Sequence, residues 1–383
     1  MRATRAVIYQ DSIRENILTI KSLVKPETKL CVAVKADGYG CGAVTAARIA
    51  EAAGAEYLAV ATAEEGAELR ENGITAEILL LGLCAPEDFP LLIECNVTPT
   101  LFDSEYIGAF ADAAGRKAAT GGRRNVFLAV DTGMGRIGCR PEEAADRAAQ
   151  IAGSGSLRLG GMMTHFAAAD STAPDDRAYT ARQFRSFQEA VGAVRKRGIE
   201  PGIRTCANSA AILDAPELQL DMVRPGIIVY GCYPGQITER YLDEKGTPVR
   251  LKQVMQLETQ VVSLRRFRKG QSASYGRTWT AERDTVVAVL PVGYADGLLR
   301  RCVPGLRVAI RGRSYPVCGR ICMDQCMVDV GPEPDVERWD TAVLFGSKER
   351  GALADATDIA ELTGTISYEV LASVSKRVPR VLA

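Results

Sequence analysis

The chain has 383 residues and is 47% hydrophobic, enough for two domains or for one barrel plus an appendage. Basic and acidic residues balance at 47 each, so the composition carries no electrostatic footprint for nucleic acid or an anionic membrane. No apolar run approaches a membrane span, and the stretch Met1–Tyr9 is read as lacking the apolar core of a signal peptide.

Residues 1–9 read as a short strand. Asp11 or Ser12 is expected to cap a helix, with Glu15 three residues after Ser12 as in a capping box; Ile13, Ile17, Ile20 and Val24 form its apolar face. After Pro26 strand and helix alternate. Apolar β-type runs lie near Cys31–Val34, Tyr57–Ala61, Ile78–Leu81, Val97–Leu101, Val126–Val130, Leu157–Met163, Ile203–Cys206 and Leu220–Val223. Helical patterns between them include Ala43–Ala53, Glu64–Glu71, Ser104–Ala114, Pro141–Ile151 and Asp176–Arg197. Buried parallel strands read as short continuous apolar runs. The pattern predicts an α/β fold, a (β/α)8 TIM-like barrel over residues 10–245. A doubly wound open sheet is the alternative, because periodicity does not show closure.

Near Tyr241–Gly246 the pattern breaks at a charged cluster, and Pro248 follows. Beyond it come β-type runs at Val254–Leu264, Thr285–Leu290, Arg307–Ile310, Cys326–Val330 and Ala342–Phe345, then helical patterns at Ala354–Leu362 and Tyr368–Lys376. We expect a second, mainly β C-terminal domain over 246–383, joined by the strand at 1–9. The eleven cysteines sit mostly in apolar segments, as Cys31, Cys95 and Cys232 do, which suits buried thiols in a reducing, cytoplasmic compartment. Cys318, Cys322 and Cys326 recur every four residues. No Cys-x-x-Cys pair accompanies them, and the single histidine, His165, is far off, so no metal site is expected.

In a barrel the active site lies at the C-terminal ends of the strands. The unusual residues of this chain fall there. Lys35 ends the first predicted barrel strand, in Val32-Ala33-Val34-Lys35-Ala36-Asp37-Gly38-Tyr39-Gly40. Asp131–Arg136 follows the fifth strand, Thr164-His165-Phe166 ends the sixth, Asn208-Ser209 follows the seventh and Arg224-Pro225-Gly226 the eighth. Each has a plain structural alternative: a snorkelling lysine, a hydrogen-bonded histidine, a surface arginine, a turn glycine. Their joint placement on one rim favours a site. The Ser209 hydroxyl and the backbone N–H groups near Gly226 and Ile227 suit an anion. A desolvated lysine amine opposite a phosphate cradle describes a pyridoxal-phosphate site. In the second domain, Ala273–Trp279 and Gly319–Gln325 stand out, although composition alone would make Tyr275 a packed loop aromatic.

Nearly end to end, the chain resembles alanine racemases, fold-type-III pyridoxal-phosphate enzymes. The resemblance is carried by Ala33–Gly40, Asp131–Arg136, His165–Ala167, Ala207–Ala210, Val223–Gly226, Ser274–Gly276, Val292–Gly297, Cys322–Asp324 and Tyr368-Glu369. It implies interconversion of L-alanine and D-alanine, with D-alanine destined for peptidoglycan, and a head-to-tail homodimer whose sites combine both subunits. It implies Lys35 as Schiff-base lysine and one base, and the partner's Tyr275 as the opposite base. Tyr39, His165, Asn208, Ser209, Arg224, Gly226, Ile227 and Tyr368 would join Lys35 around the cofactor, with Arg224 facing the pyridine nitrogen. Arg136 and Met323 would orient substrate, His165 would bond Tyr275, and Tyr294 would line the entrance. A racemase for serine or a broader amino-acid set, and a non-catalytic pyridoxal-phosphate-binding protein, are the competing readings.

Two positions depart from the family. Ala129 stands where many members carry a carbamylated lysine that positions Arg136. Thr205 stands where many have a histidine, so the hydrogen bonding behind Arg224 is expected to differ.

Overall fold

A computed structural model describes residues 2–117 and 122–383 of the protein; Met1, counted above with the first strand, lies outside them. Strand β1 (Arg5–Ile8) leads into helix α1 (Gln10–Ser22). Eight parallel strands then follow: β2 (Lys29–Ala33), β3 (Tyr57–Val60), β4 (Glu77–Leu80), β5 (Val97–Leu101), β6 (Arg124–Ala129), β7 (Leu157–Met163), β8 (Ile203–Thr205) and β9 (Met222–Val223). They close into a barrel, because β9 pairs with β2 through Lys29 opposite Met222 and Leu30 opposite Val223. That pairing excludes the open sheet. Along β3, β4 and β5 nearly every side chain is buried, as expected of strands covered on both faces.

The connecting helices are α2 (Ala43–Ala52), α3 (Ala63–Glu71), α4 (Phe89–Glu94), α5 (Ser104–Lys117), α6 (Ala144–Gly153), α7 (Pro174–Lys196) and α8 (Ser209–Asp214). After β9 the helix is replaced by a 3-10 turn, Ile227–Tyr230. The charged cluster where the pattern broke is itself a helix, α9 (Glu239–Lys245), capped by the Thr238 hydroxyl and ended by Gly246 in the left-handed region.

The C-terminal part holds β10 (Met255–Gln260), β11 (Ser263–Phe267), β12 (Ser272–Ala273), β13 (Trp279–Thr280), β14 (Thr285–Leu290), β15 (Arg307–Ile310), β16 (Arg313–Pro316), β17 (Cys326–Gly331) and β18 (Thr341–Phe345), then α10 (Ala356–Thr363), α11 (Ser367–Ser373) and β19 (Arg380–Leu382). One sheet runs β16-β15-β18-β10-β1-β19 and a second runs β11-β14-β17. The first strand of the chain therefore sits between β10 and the last strand. Among the described residues no helix is long and apolar enough to cross a membrane.

Two local expectations fail. Helix α1 starts at Gln10, earlier than the expected cap, and no side chain caps it. The Gln10 N–H is instead taken by the carbonyl of Ala383 at 3.0 Å, so a distant backbone does the work of a cap. The run Val254–Leu264 is not one strand. At Val261-Val262 successive N–H groups turn to different partners, Asp340 and Val289, and the chain passes from one sheet to the other.

Candidate active site

Lys35 follows β2 after one residue, Val34, and begins a turn of opposite hand to every helix around it. Ala36, Asp37, Gly38, Tyr39 and Gly40 all have positive φ, between 53° and 81°. Bonds from Gly38 N–H to Val34 O (2.8 Å) and from Gly40 N–H to Ala36 O (3.0 Å) make it one turn of left-handed helix. Glycine enters this region freely; Ala36, Asp37 and Tyr39 each cost about 1–2 kcal/mol there. Such strain persists only where surroundings over-determine it. Here Asp37 Oδ1 accepts from Ala43 N–H (2.9 Å) and Arg380 Nε donates to Gly40 O (2.8 Å). Glu65 accepts from Ala36 N–H (2.6 Å). Tyr39 is buried against Tyr230, ring centroids 4.7 Å apart, with Tyr368 of α11 on its other side at 6.0 Å.

The turn brings the amine to the barrel mouth. Burial lowers the pKa of Lys35, the charges of Arg136 and Arg224 lower it further, and Glu65 opposes them. Burial pushes the Tyr39 hydroxyl up to about 12 and raises Tyr368 as well. Both therefore stay protonated donors at neutral pH.

Arg224 is buried behind the mouth. Its Nη1 donates to Thr205 Oγ1 at 2.6 Å and its Nη2 to the carbonyls of Thr164 (2.7 Å) and Cys206 (3.3 Å). The Thr205 hydroxyl is thus the side-chain acceptor behind Arg224. Nε has no partner among the described residues. His165 Nδ1 lies 3.4 Å from Arg224 Nη2. A guanidinium only donates, so Nδ1 is the acceptor and the imidazole proton sits on Nε2. Burial, Arg224, Arg136 and Lys35 hold the pKa of His165 down at about 3, and the ring is neutral.

Ser209 begins α8, and Asn208 caps it through Oδ1, which accepts from Ala211 N–H at 3.1 Å. Ser209 Oγ accepts from Gly226 N–H at 2.9 Å. A Cβ at Gly226 would stand 2.6 Å from the Tyr39 hydroxyl, so only glycine allows this approach. Tyr39, Ser209 and Gly226 are thus brought together beside the Lys35 turn, with Tyr368 packed against Tyr39 and Ile227 opening the 3-10 turn after Gly226.

Arg136 is exposed, with no anionic partner among the described residues. Ala129 is a buried methyl at the end of β6.

Tyr275, Tyr294 and Met323 lie elsewhere, 70%, 43% and 53% exposed. Within one chain no contact joins Tyr275 to Lys35 among the described residues. The three share one face of the C-terminal domain, because Tyr294 N–H donates to Cys322 O (3.1 Å), Ala295 N–H to Met323 O (3.0 Å), and Ser274 Oγ bonds both O and N–H of Arg320 (2.8 and 2.9 Å). Ser274 has φ 69° and ψ 171°, a region nearly restricted to glycine, directly before Tyr275. Behind this face Asp296 is fully buried. It accepts from Arg2 (2.5 Å), Arg377 (2.6 Å) and Gly293 N–H (3.0 Å), and Arg377 also donates to Asp324 beside Met323 (2.6 Å).

Sequence reasoning passed over Glu65, Gln183 and Arg380. Gln183 of α7 fixes the loop after β7, accepting from Ala167 N–H (2.9 Å) and donating to His165 O (3.1 Å). Glu65 stands three residues after Thr62 and looks like an ordinary capping-box glutamate. Nothing local marks Gln183 or Arg380.

A closed parallel barrel with a half-buried lysine and a buried arginine at its mouth, joined to a mainly β domain, is the architecture of an enzyme of the amino-acid racemase class, as the relatives show. The family model for the alanine racemase N-terminal domain matches residues 8–234, and that for the alanine racemase C-terminal domain matches residues 254–382. The alanine racemase of Treponema denticola is 45% identical over 386 aligned positions, covering 100% of this chain and 98% of that one. Among solved structures, alanine racemase from Clostridium difficile superposes with TM-score 0.92 at 37% identity, covering 100% of this chain and 96% of that one. The Bacillus anthracis alanine racemase with bound L-Ala-P gives TM-score 0.89 at 33% identity, covering 100% and 95%. The chain belongs to the alanine racemase family.

Proposed function

We propose that the chain interconverts L-alanine and D-alanine by a two-base mechanism with pyridoxal 5'-phosphate in a head-to-tail homodimer. Its D-alanine would feed peptidoglycan, and its eleven free thiols support a reducing, cytoplasmic setting. The observation that carries this reading is the Lys35 amine, held below its usual pKa beside Arg224.

The residues present fit the cofactor. The glycine at 226 lets the Tyr39 hydroxyl come close, which suits a phosphate, and Arg224 Nε is left for a ring nitrogen. Lys35 would hold the aldehyde carbon, and Tyr39, Ser209, Gly226, Ile227 and Tyr368 the phosphate. The chemistry that the cofactor supplies when bound is acidification of the amino acid's α-proton.

Racemisation removes a proton from one face and returns one to the other, so it needs a base on each side. The Lys35 nitrogen, with its lowered pKa, suits one face. The other falls to Tyr275 of the partner subunit. Its exposure beside Tyr294 and Met323 supports a face that a second copy covers. His165 offers Nε2–H to that hydroxyl, with the positive charge of Arg224 behind it. Positive potential favours the tyrosinate over a phenol of usual pKa about 10. Arg136 and the Met323 backbone take the substrate carboxylate.

The test is incubation of the purified, cofactor-loaded protein with L-alanine in deuterated water. D-alanine carrying α-deuterium is expected. No racemisation, despite cofactor trapped on Lys35 by borohydride, would overturn the reading.

A further inference from the structure

We propose that Glu65 is a positioning residue for Lys35: its carboxylate anchors the peptide next to the lysine and brings a negative charge to that rim. Its two oxygens are divided between the turn that follows β2 and the end of β3. Oε1 accepts from Ala36 N–H at 2.6 Å and Oε2 from Ala61 N–H at 2.7 Å. Ala36 follows Lys35, and Ala61 follows β3. One side chain thus ties β2 to β3 at the mouth and holds the first residue of the left-handed turn. A glutamate serving only its helix would bond the backbone N–H of the capping residue. Glu65 donates its own N–H to Thr62 Oγ1 (3.2 Å) but sends its carboxylate to the rim.

The charge balance points the same way. The groups facing the Lys35 amine are Glu65 from α3, Arg136 from the loop after β6, His165 after β7 and Arg224 after β9; Asp37 and Tyr39 lie on its own turn. His165 is neutral, and the Asp37 carboxylate is engaged by Ala43 N–H. Against two guanidiniums, Glu65 is the anion that raises the amine's proton affinity. It forms no ion pair with Lys35 among the described residues. It therefore acts through space and through the peptide, and does not block the nitrogen.

The role presupposes the racemase chemistry proposed above, but its test does not. In cofactor-free full-length protein, Lys35 is acetylated by trace acetic anhydride from about pH 6 to about pH 11, and the labelled peptide is quantified by mass spectrometry. Loss of a nearby anion disfavours an ammonium, so Glu65→Gln should lower the midpoint by about half a unit, roughly threefold in proton affinity. Glu65→Asp keeps the charge on a shorter arm. It should leave the midpoint near wild type yet slow covalent loading of pyridoxal phosphate on Lys35 by about threefold or more. A folded Glu65→Gln protein with the wild-type midpoint overturns the proposal. So does Glu65→Asp loading at the wild-type rate, which decides the matter even if Glu65→Gln fails to fold. Alanine racemisation by the unaltered chain is scored separately, so failure of the function and failure of this role are distinguishable.

Discussion

At the barrel mouth Arg224 is buried and Lys35 and His165 are half-buried by their own chain, whereas Tyr275, Tyr294 and Met323 stand exposed on the C-terminal domain. Both regions are rigidly supported. The mouth rests on Thr205, Thr164, Glu65 and Arg380; the face rests on the Ser274–Arg320 bonds and on buried Asp296 with Arg2 and Arg377. They differ in desolvation. The chain alone perturbs the amine and the imidazole, because it alone excludes water from them. Tyr275 stands in solvent. The contrast teaches that pre-organisation and desolvation are separate achievements: this chain completes both at the mouth and only the first at the face.

The comparison is broken or sharpened most strongly by complementation. Lys35→Ala is expected to lose racemisation by at least about 10³-fold and Tyr275→Phe by about 10²–10⁴-fold. Co-expressed and randomly paired, the two inactive chains should recover about a quarter of wild-type activity, because half the dimers then hold one intact site of two. Recovery absent from a confirmed mixed dimer would mean that mouth and face are joined within one chain.

A smaller effect tests the support behind the face. Asp296→Ala strips buried Gly293 N–H and two arginines of their acceptor and should cost about 2–3 kcal/mol in urea unfolding. Cofactor loading on Lys35 should change far less than alanine turnover. Equal losses would show that the two regions are not separately supported.

Smaller still is Thr205→Val, which leaves Arg224 Nη1 without its 2.6 Å acceptor. We expect about 1–2 kcal/mol of stability lost and a several-fold drop in turnover, with little change in dimerisation by sedimentation. The last test perturbs nothing. The chain has one histidine, so its NMR titration is unambiguous. The midpoint should lie far below 6.5, toward about 3. Because the folded pKa is depressed, the unfolded chain binds a proton that the folded one refuses. The stability from neutral His165 is full above about pH 6.5 and lost as pH falls toward about 3. A midpoint near the ordinary value would place His165 in water and blur the contrast with the face.

Much of the barrel was legible because its strands are covered on both sides. Runs such as those of β3 and β4 are apolar without alternation, and their predicted positions agree with the strands to within a residue or two. The closeness of Ser209 to Gly226 was legible in part, through a hydroxyl and a glycine at neighbouring strand ends. What could not be read was whatever depended on a partner distant in sequence. Ala383 replaces the expected cap of α1, and Asp340 and Val289 divide Val254–Leu264 between two sheets. Glu65 wore the pattern of a helix cap and serves a turn 29 residues earlier.

By itself, the sequence determined the alternation of buried strands and amphipathic helices, the polar residues set at the strand ends, and the resemblance that joins them. Those are properties of hydrophobic periodicity and residue type, which need no knowledge of neighbours. Only the tertiary structure decided that β9 closes on β2, that residues 36–40 wind left-handed after Lys35, and that Arg224 rests on Thr205. The glycines at 38 and 40 permit that turn. Ala36, Asp37 and Tyr39 enter it at a cost that local preference opposes, and contacts from Glu65, Tyr230, Tyr368 and Arg380, gathered from across the chain, offset it.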